Sequence, residues 1–452
     1  MLKKNDIINV YIESSGFEGE GIARVDGLPV FIRGGAVGDR ADIRILKVNK
    51  NFAFGKIEKL TQPSPFRREP VCKTFGKCGG CTMAHITYDK QLEIKKSTVT
   101  NNLRKIAHLS EGDYLFEGID GADSEYNYRN KAQFPVAYSD GKAVFGFFAP
   151  GSHRVIPCTG CNIQDDKINV VAEAVLEYIN ENNVSVYDEN TGKGIIRHIY
   201  VRTSVSGDIM TVIVTNTSKP LPFCEKLIEK LSTIEGMKSI IQNTNTRGDN
   251  IIMGNKNTLL WGDDKIILTL GKLKFYVSPN SFFQVNPGQT EKLYAKALEY
   301  AHLTGRETVF DLYCGVGSIS LFMAEKAKKV YGVEIVDAAI ENAKANAEIN
   351  GIENTSFYAG DCTDIVDKLM KQGKTADVVV VDPPRKGCDP NLLQLINNIS
   401  PKRVVYVSCN SSTFARDTVN LSQFGYTLKK VSAVDLFPQT AHVECVGLFI
   451  RK

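Results

Sequence analysis

Over residues 1–62, apolar and polar positions alternate in short segments (IINVYIESSG, GIARVDGLPVFI and DRADIRILKVNKNFAFGKIEKL), punctuated by Gly16, Gly19, Gly21, Gly27, Gly34, Gly35 and Gly38. Period-two alternation with glycine corners predicts about five short strands closed into a small barrel of the OB type. Gln62-Pro63-Ser64-Pro65 predicts a linker, a cysteine-rich loop follows, and residues 88–109 read as a basic helix. From about 118 to 275 the segments KAQFPVAY, AVFGFFAP, IRHIYVRTS, IMTVIVTN and KSIIQNTN predict strands, with helices near 166–182 and 222–233. That is an α+β unit with an antiparallel sheet. From Pro287 onward ETVFDLY, KVYGVEI, TSFYAGD, ADVVVVDPP and RVVYVSC alternate with helical stretches, which predicts a doubly wound α/β sheet. The last two strands, TLKKVSAVDLF and VECVGLFIRK, are joined by a loop and not by a helix, so the final one should run antiparallel. The expected organisation is a barrel over 1–62, a central α+β domain over 63–280 and the α/β domain over 281–452. The basic helix 88–109 is a candidate to pack on the last of these.

Charge sharpens this picture only at the front. The 452 residues carry 55 Lys and Arg against 51 Asp and Glu. Residues 1–62 have a net charge of +2, residues 63–110 of +6 and the remainder of −4. A basic front end on a slightly acidic body points to a polyanionic partner, and the barrel shape is one often used for RNA, while Lys47, Lys50, Lys56 and Lys59 around Phe52 and Phe54 read, residue by residue, as solvated lysines flanking core phenylalanines. Asp6 and Glu13 interrupt the N-terminal segment, so it lacks a secretory apolar core, and no run approaches the ~18 apolar residues of a membrane span. A cytoplasmic protein is expected, with no membrane contact and no obligate protein partner. In a reducing compartment its 11 cysteines are read as thiols, ligands or nucleophiles and not as a disulfide framework.

Strand Thr308–Tyr313 runs into Cys314-Gly315-Val316-Gly317 and then a helix, and Glu334 ends the next strand. Glycines at such a turn let a nucleoside cofactor lie against the backbone, and a carboxylate at the neighbouring strand end accepts from both ribose hydroxyls. The third glycine of the dinucleotide pattern is missing and Asp311 replaces an apolar strand end, which favours S-adenosylmethionine (AdoMet) over NAD. Asp361, ending the third strand, is a further candidate for the adenine amine.

The fourth strand ends in Asp382-Pro383-Pro384-Arg385 and the fifth in Ser408-Cys409-Asn410. Both ends lie at the carboxyl edge of the sheet, where ligands bind in this architecture. Two prolines fix a rigid turn and aim Asp382 into the cleft. Amine methyltransferases have an aromatic residue where Arg385 stands, and they need no thiol; a strand-end Cys409 reads as a nucleophile. Cys224, Cys362 and Cys445 read instead as small buried hydrophobes. Glu444, after Phe437-Pro438-Gln439-Thr440-Ala441-His442-Val443 in the loop between the last two strands, is a candidate general base, with His442 as its rival.

Two metal readings are open for Cys72-x5-Cys78-x2-Cys81 and Cys158-x2-Cys161. Paired C-x2-C sets (Cys78, Cys81, Cys158, Cys161) suit a structural zinc, which spacing alone favours slightly. Cys72, Cys78, Cys81 and one later cysteine suit a [4Fe-4S] cluster.

Taken together, S-C-N at Ser408–Asn410, D-P-P-R at Asp382–Arg385, D-L-Y-C-G-V-G at Asp311–Gly317, F-F-Q-V-N at Phe282–Asn286 and F-P-Q-T-A-H-V-E at Phe437–Glu444 resemble the RNA uracil-5-methyltransferase family. The resemblance spans the whole chain, since the N-terminal barrel resembles a TRAM domain. It implies a class I AdoMet-methyltransferase fold, with Gln284, Tyr313, Glu334 and Asp382 on AdoMet, Cys409 as nucleophile and Glu444 as base. Tyr313 stands where relatives often have Phe. The ribosomal branch of the family holds a [4Fe-4S] cluster through C-x5-C-x2-C…C, which implies Cys72, Cys78, Cys81 and Cys161 as ligands. The implied substrate is a loop or single-stranded uridine of 23S rRNA, flipped out of its stack to reach the pocket. A tRNA uracil-5-methyltransferase and a catalytically inactive Fe–S RNA-binding factor are the alternatives.

Overall fold

The structure, a computed structural model, describes residues 2–452. By contact it divides into two compact units. The first comprises residues 1–98, 147–156 and 437–443, and the second residues 99–146, 157–436 and 444–452.

In the first unit, six strands form one sheet whose spatial order is Ile7–Tyr11, Arg40–Val48, Ala53–Gln62, Leu28–Arg33, Gly21–Val25 and Ser14–Ser15. Leu28–Arg33 and Ala53–Gln62 pair in parallel, and the neighbouring pairs are antiparallel. The alternation read from the sequence is the barrel's inside and outside. Val10, Ile12, Val30, Ile32, Ile43 and Ile45 point inward and are buried, while Phe31, Phe52 and Phe54 form an aromatic cluster with centroids 5.4–5.9 Å apart. Asp39, fully buried, receives Arg67 in a bidentate ion pair and the amides of Ala36 and Ser64, which ties the barrel to the chain that leaves it. The helix expected over 88–109 spans Tyr88–Ile106.

Two large sheets hold most of the second unit's strands, although residues 147–148 and 155–156 of the seven-stranded one are assigned to the first unit. A seven-stranded mixed sheet runs in the order Val155–Pro157, Lys142–Phe148, Lys131–Ser139, Ile196–Thr203, Ile209–Thr215, Met237–Thr244 and Lys256–Gly262, with the helix Asp166–Glu181 packed on it. The eight-stranded sheet has the order Thr355–Ala359, Lys329–Glu334, Thr308–Leu312, Val378–Val381, Arg403–Ser408, Glu444–Arg451, Tyr426–Val434 and Leu115–Asp120. Its first five strands are parallel, and Glu444–Arg451 is antiparallel to both neighbours. This is the class I methyltransferase sheet expected from the terminal hairpin. Val378–Val381 is buried on both faces, as a central parallel strand must be. Leu115–Asp120, read from sequence within the central segment, joins this sheet as an edge strand parallel to Tyr426–Val434. Among the described residues no helix is long and apolar enough to cross a membrane.

Candidate active site

Two of the cofactor candidates, Tyr313 and Glu334, stand at the carboxyl ends of the adjacent parallel strands Thr308–Leu312 and Lys329–Glu334. Tyr313 (φ 69°), Gly315 (φ 55°) and Gly317 (φ 81°) take left-handed backbone conformations, which fold the chain sharply between strand Thr308–Leu312 and helix Ser318–Ala324. Such a conformation is costly for tyrosine and costs glycine little. A Cβ at Gly317 would meet Ala343 and Phe357 at 3.1 Å. Glu334 closes the turn from the adjacent strand: its Oε2 accepts from the Gly315 amide at 3.3 Å and its Oε1 from the Val336 amide at 3.1 Å. Gln284 lies half-buried just ahead of helix Pro287–Ala301. Asn286 caps that helix and donates to the Leu436 carbonyl at 3.0 Å. Asp361 is exposed and spends a carboxylate oxygen on capping helix Cys362–Lys371.

The reactive candidates stand two and three strands away. Pairing of Ser408 with Cys445 places Cys409, the next residue, beside Glu444, the residue before Cys445. Glu444 therefore opens the final strand and is 3% exposed; it does not hang in the loop expected for it. Asp382 follows Val378–Val381, the strand neighbouring Cys409's own. The prolines are not the only hold on this turn. Asn410 donates to the Arg385 carbonyl at 3.1 Å while its Oδ1 caps helix Ser411–Gln423. Arg416 donates to the Lys386 carbonyl, and buried Asp417 accepts from the Cys388 amide and the Tyr406 hydroxyl.

Crowding of acids in a dry site sets the electrostatics. Burial, reinforced by the charge of Asp382, pushes the Glu444 carboxyl up to about 8. Burial alone raises Asp382 to about 6. Burial, then Glu444 and Asp382, push the Cys409 thiol up to about 11. Arg385 opposes the shifts of both Cys409 and Glu444. At neutral pH the free site therefore holds a thiol and a mostly protonated Glu444.

Three site residues carried no clear signal in the sequence. Asp311, which sequence used only to choose between cofactors, is fully buried; its Oδ2 accepts from Ser320 at 2.5 Å and its Oδ1 has no partner. Burial raises it to about 7. An orphaned carboxyl oxygen beside the glycine turn fits a ligand with N–H or O–H donors, as AdoMet has. Tyr294 projects from a helix face that reads as core, yet Asp382, Asp311 and Glu444 all act on its hydroxyl, which bonds Ser318 at 3.1 Å. Ile335, after Glu334, is 67% exposed and offers an apolar surface to a flat heterocycle.

Cys224 is half-buried, and Cys362 and Cys445 are buried. Cys72, Cys78 and Cys81 belong to the first unit, and Cys158 and Cys161 to the second. The Gly80 amide donates to Cys78 Sγ at 3.3 Å, the kind of bond that tunes a thiolate ligand. Among the described residues no group of three or more His, Cys, Asp or Glu side chains is gathered as a metal site. His442, the rival base, is exposed.

Comparison with known proteins shows the family. A family model described as tRNA (Uracil-5-)-methyltransferase matches residues 87–452, and a TRAM domain model matches residues 2–57. A protein of Clostridium tetani named an uncharacterized RNA methyltransferase is 47% identical over 99% of this chain and 97% of its own. A Clostridium acetobutylicum protein of like name is 46% identical over 100% of this chain and 98% of its own. Among solved structures, the tRNA (uracil-54, C5)-methyltransferase of Pyrococcus abyssi, in complex with S-adenosyl-L-homocysteine, superposes with a TM-score of 0.77 at 26% identity, covering 98% of this chain and 100% of that one. With its N-terminal TRAM domain, the chain belongs to the tRNA (uracil-5-)-methyltransferase family, the AdoMet-dependent RNA uracil-5-methyltransferases.

Proposed function

We propose that this protein methylates C5 of a uridine in 23S rRNA, with Cys409 as nucleophile and Glu444 as base. The observation that carries the chemistry is the strand register, which sets Cys409 beside Glu444 with Asp382 on the next strand. Uracil C5 is a poor nucleophile. Cys409 Sγ loses its proton to solvent as the RNA enters, the thiolate adds to C6, and the C5–C6 π electrons move toward C5 and O4 as an enolate. Arg385, the cation that opposes the raised thiol, favours this step. Gln284, Tyr313, Glu334 and Asp382 would hold AdoMet, whose sulfonium would supply an electrophilic methyl group to C5, the S–CH3 bond breaking to leave the neutral thioether S-adenosylhomocysteine. Glu444 as carboxylate then removes the C5 proton; the electrons restore the C5–C6 double bond and expel the Cys409 thiolate. Asp382 orients the uracil, and the dry pocket shields the adduct from water.

Ribosomal RNA as substrate is supported by the resemblance of the cysteine pattern to the ribosomal branch. On the same ground we assign a [4Fe-4S] cluster to Cys72, Cys78, Cys81 and Cys161, in folding or RNA binding and outside the methyl transfer. The barrel over 1–62 and the basic stretch over 63–110 supply RNA contacts to the methyltransferase domain over 281–452, in the cytoplasm. A tRNA substrate is the second reading, favoured by the full-length similarity to the Pyrococcus abyssi tRNA enzyme. Labelled AdoMet offered with unmodified 23S rRNA and, in parallel, unmodified tRNA decides between them: 5-methyluridine in the rRNA alone is expected, and 5-methyluridine in tRNA alone would overturn the substrate.

A further inference from the structure

In the seven-stranded sheet, Lys131 and Arg202 are direct cross-strand partners, and Arg129 lies two residues before Lys131. Like charges facing each other across strands destabilise a sheet unless something neutralises them. None of the three forms an ion pair among the described residues. Arg202 is 1% exposed, yet its Nε and Nη1 have no partner, and only Nη2 is used, on the Ser281 carbonyl at 3.2 Å. Tyr200, on the same face, is equally buried with an unpartnered hydroxyl. Burial first, and then the charges of Arg202 and Arg129, hold the Lys131 ammonium down to about 7. Arg129 and Lys131 are half-buried, so both keep some solvent access where Arg202 has almost none. The cations stand next to the segment that carries Gln284, because Arg202 bonds Ser281 and the Asn130 amide donates to the Val285 carbonyl at 2.9 Å.

We propose that Arg129, Lys131 and Arg202 form a seat for a phosphodiester of the RNA substrate, beside the cofactor segment Ser281–Val285. Three cations exceed what the single carboxylate of AdoMet neutralises, whereas RNA offers successive phosphates. The cofactor candidates Tyr313, Glu334 and Asp382 also sit at strand ends of the other sheet. The inference rests on the chain's being an RNA methyltransferase, not on which RNA it modifies.

The test is Lys131→Gln, with Lys131→Arg as control, in the full-length protein. Binding to a labelled 20-nucleotide oligouridylate and to an unmodified 23S rRNA transcript is followed by fluorescence anisotropy across about 50–200 mM salt. Lys131→Gln should weaken binding of oligouridylate about three- to tenfold and make the slope of log affinity against log salt shallower by ~0.7, one phosphate on a single strand. Lys131→Arg should restore both, AdoMet affinity should be unchanged, and without RNA the Lys131→Gln protein should melt no lower than wild type. Unchanged affinity and slope on oligouridylate would overturn the seat. So would a loss of AdoMet affinity with RNA binding intact, which would assign these cations to the cofactor's carboxylate. A weakened oligouridylate complex together with no preference for the 23S transcript would uphold the seat while removing the ribosomal reading.

Discussion

Glu444 concentrates the chemistry of single residues. A carboxyl that titrates near 4.5 in the unfolded chain and about 8 in the folded one binds more protons when folded. The folded state should then be most stable, with respect to this group, below pH ~4.5, and lose that advantage as pH rises through about 8. Glu444→Gln should flatten the decline of thermal stability between about pH 5 and 9, measured by melting at stepped pH; a decline identical to wild type would contradict the burial of this charge. Catalysis runs the other way, since the base must be ionised to take the C5 proton. The strand ends that carry Asp382 and Cys409 were legible because the apolar runs before them can be counted from the sequence. Asp311 and Tyr294 were not, because a buried acid and a helical tyrosine look like packing until their neighbours are known.

At the scale of elements, turns with unusual backbone decide where side chains arrive. Gly317 has φ 81° and a Cβ there would meet Ala343 and Phe357 at 3.1 Å, so Gly317→Ala combines left-handed strain with a tight contact that makes its neighbours give by a few tenths of an ångström. A loss of about 1–3 kcal/mol in urea unfolding and a weakened affinity for S-adenosylhomocysteine are expected; unchanged values for both would show that the turn tolerates a side chain. The strands at this turn, Thr308–Leu312 and Lys329–Glu334, were readable as short, mostly apolar runs, the first leading into glycines and the second ending in an acid. The placement of Glu444 was not. Whether it ends a loop or opens a strand depends on pairing with Val434, a register that no local pattern encodes.

For the whole molecule, distant segments of chain make single sheets. Leu115–Asp120 pairs with Tyr426–Val434 across more than 300 positions, and Glu444–Arg451 inserts between two strands that precede it. Alternation shows that each segment is a strand, but the partner is chosen by topology, so the central segment's share in the methyltransferase sheet was invisible beforehand. The same limit applies to the cysteines, whose spacing alone allowed zinc or iron. Protein purified without oxygen should be brown with broad absorbance near ~400 nm, and Cys161→Ser should lower its iron content. A colourless, zinc-loaded protein would restore the zinc assignment.

The central claim is covalent catalysis by Cys409 with proton removal by Glu444. Glu444→Gln, incubated with AdoMet and unmodified target RNA and run on a denaturing gel, should accumulate a protein–RNA adduct, because addition and methylation precede proton removal. Mass spectrometry should place a methylated uridine on Cys409, and the adduct should vanish in the Cys409→Ala, Glu444→Gln double variant. Normal turnover by Glu444→Gln, or an adduct that survives loss of Cys409, would contradict the mechanism.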